Sequence, residues 1–433
     1  MGPVTSTLTP VISSPGWELL AALEAMPDRA DMDPMRLGRS LREQGVAPDV
    51  AAGVLAQLSL RDRAESKFGR FARTMVLTRD GLEQATRMVV AALHAQRFLD
   101  AGATRVADLG CGIGGDALAM AGLGLGVLAF DVDEDAAVAA AANLRAFPGA
   151  SVRRGDARDL EPGGLVAEGV DALFADPARR TGQALGARRL LAPEQWSPPL
   201  SWVLGWRGSF DRIGVKLAPG VPHAALPDDC HVQWTSVDGD LVEAALWTPA
   251  LAPEGPGRSA RVIRSGRSHI LREARTGDGG AAEGDARDLR AHGASSEVRR
   301  APDGPIASMV AEPDPAVIRA GLVARLAEDL DAHLLSPGIA WLTGDDLPGT
   351  AFASRFEVLD VVPLRIAAID RALALLDIGR VEVKKRGADV DPQAIRAGLR
   401  LTGSGEATVI ATRVAGRHRA VIARRCRSSA PHD

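Results

Sequence analysis

A chain of 433 residues is longer than one ordinary compact core, so two or three folded units are expected. Hydrophobic residues at 46% and charged residues at 24% exclude global disorder, and charges interrupt every apolar run well before the roughly 20 residues of a membrane span. Three distant cysteines exclude a disulfide framework and fit a reducing, cytoplasmic compartment, while a formal charge of −4 would argue against a nucleic-acid partner only if it were spread evenly, which it is not.

Residues 1–14 contain Pro and Ser and lack both a cationic start and an apolar signal core; they are expected to form a disordered lead-in. Over residues 15–100 apolar positions recur at helical spacing, as in Trp17, Leu20, Leu23 and then Val50, Val54, Leu58, predicting a helical domain. Its last helix is expected over Asp80–Leu99, with Thr78 or Asp80 as N-cap. Over residues 101–253 short apolar runs alternate with helical stretches, which predicts an α/β domain with a mostly parallel sheet. Its last two runs leave no room for a helix and should form a hairpin turning at Asp238 and Gly239.

Residues 254–305, rich in Gly, Arg, Ala and Asp, hold few large apolar side chains and are expected to form a mobile insert, with "ARVIR" as its one candidate strand. Residues 306–355 read as a helical connection, opened by "EPDPAVIRAGLVARLAEDL" with Pro315 in the first turn. Residues 356–427 read as a small α+β domain: helix, strand "RVEVKK", helix, and strands "EATVIATRV" and "RAVIARR". From Gly379 to Arg425 eleven Lys and Arg face four acids, a local excess that suits a phosphate backbone. Lys384, Lys385, Arg386, Arg417 and Arg419 are the candidate RNA contacts. The segment has no aromatic stacking platform, so shape and phosphate contact are expected of it. The eight histidines lack ligand spacing, and no metal site is expected.

The chemistry concentrates in "VADLGCGIGGDALAMA", a strand that runs into Gly110, Gly112, Gly114 and Gly115 and then a helix. Glycines there permit positive φ and a close backbone approach to a nucleotide-like ligand. Gly110, Gly112 and Gly115 also satisfy the dinucleotide fingerprint, so the neighbouring acids decide. Asp108 lies where a carboxylate holds an ammonium and repels a pyrophosphate. Asp131, at the end of the next strand, can accept both ribose hydroxyls, and Asp156, at the end of the third, an adenine amine.

With these positions the core resembles the class I S-adenosylmethionine-dependent methyltransferases over about a third of the chain, which implies the same cofactor roles for Asp108, Gly110, Gly112, Asp131 and Asp156. The fourth strand ends in "DPARRTG", where base-amine methyltransferases often carry an acid or amide, two prolines and an aromatic. Here Asp176 and Pro177 remain, but Ala178 and Arg179 replace the second Pro and the aromatic. Asp176, Pro177 and Arg179 are the candidate catalytic residues. The loop also resembles that of RNA 5-methyluridine methyltransferases, but no Cys follows the fifth strand, and Cys230 reads as a buried thiol.

The segments "LTRDGLEQAT", "DLGCGIGGD", "DPARR", "VKLAPG", "EPDPAVIRAG" and "VKKRG" extend the resemblance to bacterial methyltransferases with a helical leader and a C-terminal THUMP-like domain, an RNA-binding type of module. A more distant similarity to cap-guanosine methyltransferases implies that Thr78 and Glu83, with Gln84 and Thr86, sit near the methionine end of the cofactor; helix capping by Thr78 is the plainer alternative. The expectation is an enzyme that methylates a structured RNA. Methylation of a small molecule or protein, and a non-catalytic RNA-binding protein that keeps the fold, stay open as rivals.

Overall fold

The computed structural model describes residues 6–27, 29, 32–178, 192–273 and 302–426. Among these no helix is long and apolar enough to cross a membrane. The chain divides into two compact units, Met1–Val232 with Ala244–Pro256, and Gln233–Glu243 with Gly257–Asp433.

The first unit opens with helices α1 (Thr9–Ile12), α2 (Ser14–Glu24), α3 (Pro34–Glu43) and α4 (Pro48–Phe68). Ser13 and Asp33 cap α2 and α3 through their side chains, and Pro stands in the first turn of each. Val11, Leu20, Leu23, Leu41, Val54 and Leu58 form their shared core. The disordered lead-in expected over residues 1–14 is thereby corrected for its described part. Val11 is 1% exposed, and the Ser6 hydroxyl donates to Asp135, so burial and a side-chain anchor hold this stretch; residues 1–5 lie outside the described residues.

The helix expected over Asp80–Leu99 is two helices, α5 (Arg79–Gln84) and α6 (Met88–Asp100). Ala85 and Arg87 are extended between them, and the ammonium of Lys67 ends α5 by donating to the carbonyls of Leu82, Glu83 and Ala85 at 2.6, 2.8 and 3.2 Å.

Strands β1 (Arg105–Leu109), β2 (Gly126–Asp131), β3 (Ala150–Arg154), β4 (Ala172–Ala175), β5 (Arg212–Leu217), β6 (His231–Val237) and β7 (Asp240–Trp247) follow, with α7 (Gly115–Gly122), α8 (Glu134–Leu144), α9 (Pro162–Ala167) and α10 (Leu200–Leu204) between them. These strands take the order β3-β2-β1-β4-β5-β7-β6, the first seven of a nine-stranded sheet, parallel from β3 to β5 with β7 antiparallel to β5; Gln233–Glu243 of the β6–β7 hairpin belong to the second unit. The order reverses between β1 and β4, and the crevice at such a switch point is where ligands of open α/β sheets bind. Burial on both faces explains the apolar runs at residues 106–107, 127–130 and 172–175 in β1, β2 and β4. Asp238 and Gly239 turn the β6–β7 hairpin with φ of 50° and 91°, the paired positive values of a type I′ turn.

In the second unit β8 (Gly257–Arg264) and β9 (Arg267–Arg272) make an antiparallel hairpin. The segment 254–305 expected as a mobile insert therefore begins as ordered sheet, held by buried Ala260, Val262, Ile263 and Leu271; residues 274–301 lie outside the described residues. The expected helical connection over 306–355 is likewise corrected. It contains β10 (Met309–Pro313), α11 (Pro315–Arg319), α12 (Val323–Asp329), β11 (His333–Leu334), β12 (Leu342–Gly344) and the start of β13 (Ala353–Pro363). Gly321, at φ 74°, splits the single helix expected after Pro315.

After α13 (Ile366–Leu375) come β14 (Ile378–Lys385), α14 (Pro392–Ala397), β15 (Gly405–Val414) and β16 (Arg417–Arg425). The seven-stranded sheet has the order β11-β12-β10-β13-β16-β15-β14, with only β14 and β15 parallel. Val381, Val409 and Ile422 pack with Ile369 and Leu373 of α13 on one face; Ile410, Val421 and Phe356 pack with Trp341 on the other.

Candidate active site

Asp108 occupies the end of β1 at 1% exposure, and among the described residues its Oδ2 is buried without a hydrogen-bond partner. Burial, reinforced by the charges of Asp116, Asp176 and Asp131, pushes its carboxyl well above the usual carboxylate range. The loop that follows needs its glycines. Gly110 has φ 84°, and a Cβ there would stand 2.8 Å from the carbonyl oxygen of Asp176; Gly114, at φ 81°, lies against Ala140. At Gly112, φ 56°, a Cβ would enter open space, leaving bare backbone facing the crevice.

Asp131 ends β2 and organises this loop. Its carboxylate accepts from the backbone N–H of Gly112 at 2.8 Å and of Asp133 at 2.9 Å. Burial nevertheless outweighs those bonds and raises its pKa. Asp156 follows β3, where Arg158 pairs with it at 2.6 Å and holds its carboxyl below the ordinary range. An exposed arginine two residues on competes for any acid at a strand end, and sequence position alone did not reveal it.

Thr78 caps α5, its hydroxyl accepting from Gly81 N–H at 3.0 Å, while Glu83 is exposed. The helix lies on the glycine loop: a Cβ at Gly81 would be 2.3 Å from Ile113. Asn143 of α8 ties the same loop to the leader, accepting from Val76 N–H at 2.7 Å and donating to the Ile113 carbonyl at 2.8 Å.

On the opposite wall Asp176 follows β4, and its Oδ2 accepts from the buried ammonium of Lys216 at 2.7 Å. Pro177 is buried beside it, and Arg179 lies outside the described residues. Sequence reasoning missed three groups here. Lys216 is the one ionisable residue between Arg212 and the end of β5, a lone charge in an apolar strand. Asp116, in the first turn of α7, accepts from the Thr86 hydroxyl at 2.6 Å and pairs with His94 at 2.9 Å. Burial alone would raise Asp116, but His94, Lys216 and Thr86 together hold it low. His94 in turn packs on Phe174 and Trp247. Cys230 is buried, and burial pushes its thiol up to about 12, as suits a structural sulfur.

Over 392 residues the chain is 31% identical to an uncharacterised S-adenosylmethionine-dependent methyltransferase of Mycobacterium tuberculosis, covering 88% of this chain and 98% of the relative, in both strains CDC 1551 and H37Rv. The chain belongs to the S-adenosylmethionine-dependent methyltransferases. Residues 353–425 of this methyltransferase match the THUMP domain-like family, and residues 5–64 a domain of unknown function, DUF8688. A crystal structure of a methyltransferase from Porphyromonas gingivalis W83 shares its fold with a TM-score of 0.70 at 18% identity, over 95% of this chain and 98% of that one. S-adenosylmethionine is the cofactor, and the crevice fits it. The orphaned Oδ2 of Asp108 is a carboxylate oxygen waiting for a donor, and Gly112 leaves room for a ligand against the backbone.

The basic residues of the C-terminal sheet divide into two groups. Lys384 pairs with Glu312 at 2.8 Å and Arg386 with the same carboxylate at 3.6 Å. Lys385, Arg417 and Arg419 have no acidic partner among the described residues, and Lys385 and Arg417 are exposed. Register brings them to one end of the sheet: Lys385 lies opposite Ala411, Ala411 opposite Ala420, Arg419 opposite Thr412 and Arg417 opposite Val414.

Proposed function

We propose that this methyltransferase modifies a structured RNA gripped by the basic end of its C-terminal sheet. The observation that carries the reading is the end of this sheet where Arg417 and Arg419 on one face and Lys385 on the other stand without acidic neutralisation, on a domain that matches the THUMP domain-like family. Lys384 and Arg386 border them and would add weaker contacts, since the Glu312 carboxylate they share offsets part of their charge.

In the crevice, Asp108 would accept from the cofactor's ammonium, directly or through water, and Asp131 from the ribose hydroxyls while its backbone bonds keep the carboxylate aimed. Gly110, Gly112 and Gly114 would let the backbone lie against the ligand, with Thr78 and Glu83 bordering its methionine end. Asp156 would meet the adenine amine by sharing its carboxylate with Arg158. Bound S-adenosylmethionine supplies an electrophilic methyl group. Asp176, beside buried Pro177, would accept a hydrogen bond from the acceptor nucleotide and orient its nucleophilic atom, and Arg179 would hold an adjacent phosphate. Most of the acceleration then comes from alignment at the methyl group.

The test is transfer of labelled methyl from S-adenosylmethionine to bulk RNA from cells lacking the gene. RNA labelled only by the intact enzyme supports the reading; label appearing in protein or small molecules instead would replace it.

A further inference from the structure

We infer that Lys216 is a positioning residue for methyl transfer, whose ammonium fixes the Asp176 carboxylate and ties it to the C-terminal end of α5. This rests on the reading of Asp176 as the acceptor-side group. Lys216 is 5% exposed, and its neighbours in β5 from Ile213 to Leu217 are buried apolar residues or glycine, where Leu or Met would fill the same space without the desolvation of a cation. Its charge is therefore there for its partners. Nζ stands 2.7 Å from Asp176 Oδ2 and 3.4 Å from the carbonyl of Gln84, the last residue of α5.

That second contact completes a pattern. Lys67 holds the carbonyls of Leu82, Glu83 and Ala85, and Lys216 takes the remaining one of the four, so two lysines close the end of the helix that lies on the glycine loop. Only Lys216 also reaches Asp176. The charge is felt across the crevice, where it acts on Asp108 and Asp116 and helps to push the Lys67 ammonium down to about 8 after burial. Lys216 thus joins the cofactor-side helix to the acceptor-side carboxylate in one rigid link, and both ends lie within the first unit.

The experiment compares Lys216→Met, Lys216→Gln, Asp176→Asn and the Lys216→Met/Asp176→Asn double variant in the full chain. At saturating cofactor and RNA, Lys216→Met should lower kcat by about a hundredfold, the cost of a catalytic group displaced by about an ångström. In the Asp176→Asn background the same substitution should cost almost nothing further, because the group it positions is already gone. An equal loss in both backgrounds marks a merely structural lysine and overturns the inference, as does a parental kcat. Lys216→Gln, which keeps a donor without the charge, gives the same reading if the methionine variant does not fold. Hydrogen exchange provides an acceptor-free arm: in either Lys216 variant the amides of Asp176 and Ala178 should exchange faster than in the parent. If the parent transfers no methyl to RNA, the RNA reading fails, and exchange decides whether Lys216 fixes Asp176: faster exchange confined to Asp176 and Ala178, with the rest of β4 and β5 at parental rates, upholds it, and parental or uniformly raised rates reject it.

Discussion

In the crevice of the first unit three carboxylates are held by identified groups, Asp131 by two backbone amides, Asp116 by Thr86 and His94, and Asp176 by Lys216, while Asp108 keeps one buried oxygen unpartnered among the described residues. On the C-terminal sheet Lys385 and Arg417 stand in solvent, and several other cations make ion pairs that are themselves exposed, such as Arg424 with Glu357. Buried, fixed charges act strongly one at a time and are weakly screened by salt, whereas exposed cations contribute little singly, add together and fade as salt rises. The first arrangement suits a small cofactor of fixed shape. The second suits a long polyanion met at several points.

Substitutions can break this contrast, beginning where the largest effect is expected. Asp131→Ala removes the proposed ribose acceptor and the clasp on Gly112 together, and should weaken S-adenosylmethionine binding by about 2 to 4 kcal/mol, tens- to hundreds-fold in Kd by calorimetry. Next, Gly110→Ala combines a left-handed φ with a Cβ 2.8 Å from the Asp176 carbonyl, and should cost about 1 to 3 kcal/mol of stability, read as a lowered Tm.

The third expectation concerns pH. Because the carboxyl of Asp108 is raised in the folded protein, the stability it contributes without cofactor is present below its unfolded value and is lost as pH rises through the folded one. The proposed contact of Asp108 with the cofactor's ammonium needs the charged form, so affinity should climb over that same window, by up to about tenfold per pH unit. Calorimetry in buffers of different ionisation enthalpy should detect proton release on binding, and Asp108→Asn should abolish it. The smallest effect sharpens the other side of the comparison: Lys384→Ala, whose charge Glu312 partly offsets, should lower the salt slope of RNA binding by less than Lys385→Ala, itself worth about 0.7.

The glycine loop and the strand-end acids were legible in the sequence because their determinants are local: a strand, a turn that only glycine tolerates, and an acid at a fixed offset. The β6–β7 hairpin and the succession α13, β14, α14, β15, β16 were legible for the same reason. Strands β11 and β12 were not, since two and three residues carry too little periodicity to be told from a connection. The β8–β9 hairpin did carry a signal, Ser265–Gly266 between two apolar runs, with φ of 49° and 76°, hidden by the Gly- and Arg-rich composition around it. The Lys216–Asp176 pair spans 40 residues and the His94–Asp116 pair 22; such partners are set by the fold. Arg158 shows the converse, a neighbour in sequence that takes up an acid assigned to a ligand.

Whether the C-terminal sheet grips RNA while the crevice holds the cofactor can be read from the kinetics of a Lys385→Ala/Arg417→Ala/Arg419→Ala variant across a salt series. Expected are a raised KM for RNA, a kcat close to the parent's, unchanged S-adenosylmethionine affinity, and a log-log salt slope shallower by about 2, near 0.7 for each lost phosphate contact. An unchanged KM and slope would contradict that grip, leaving these cations as a solvated face and the acceptor to be sought among small molecules or proteins.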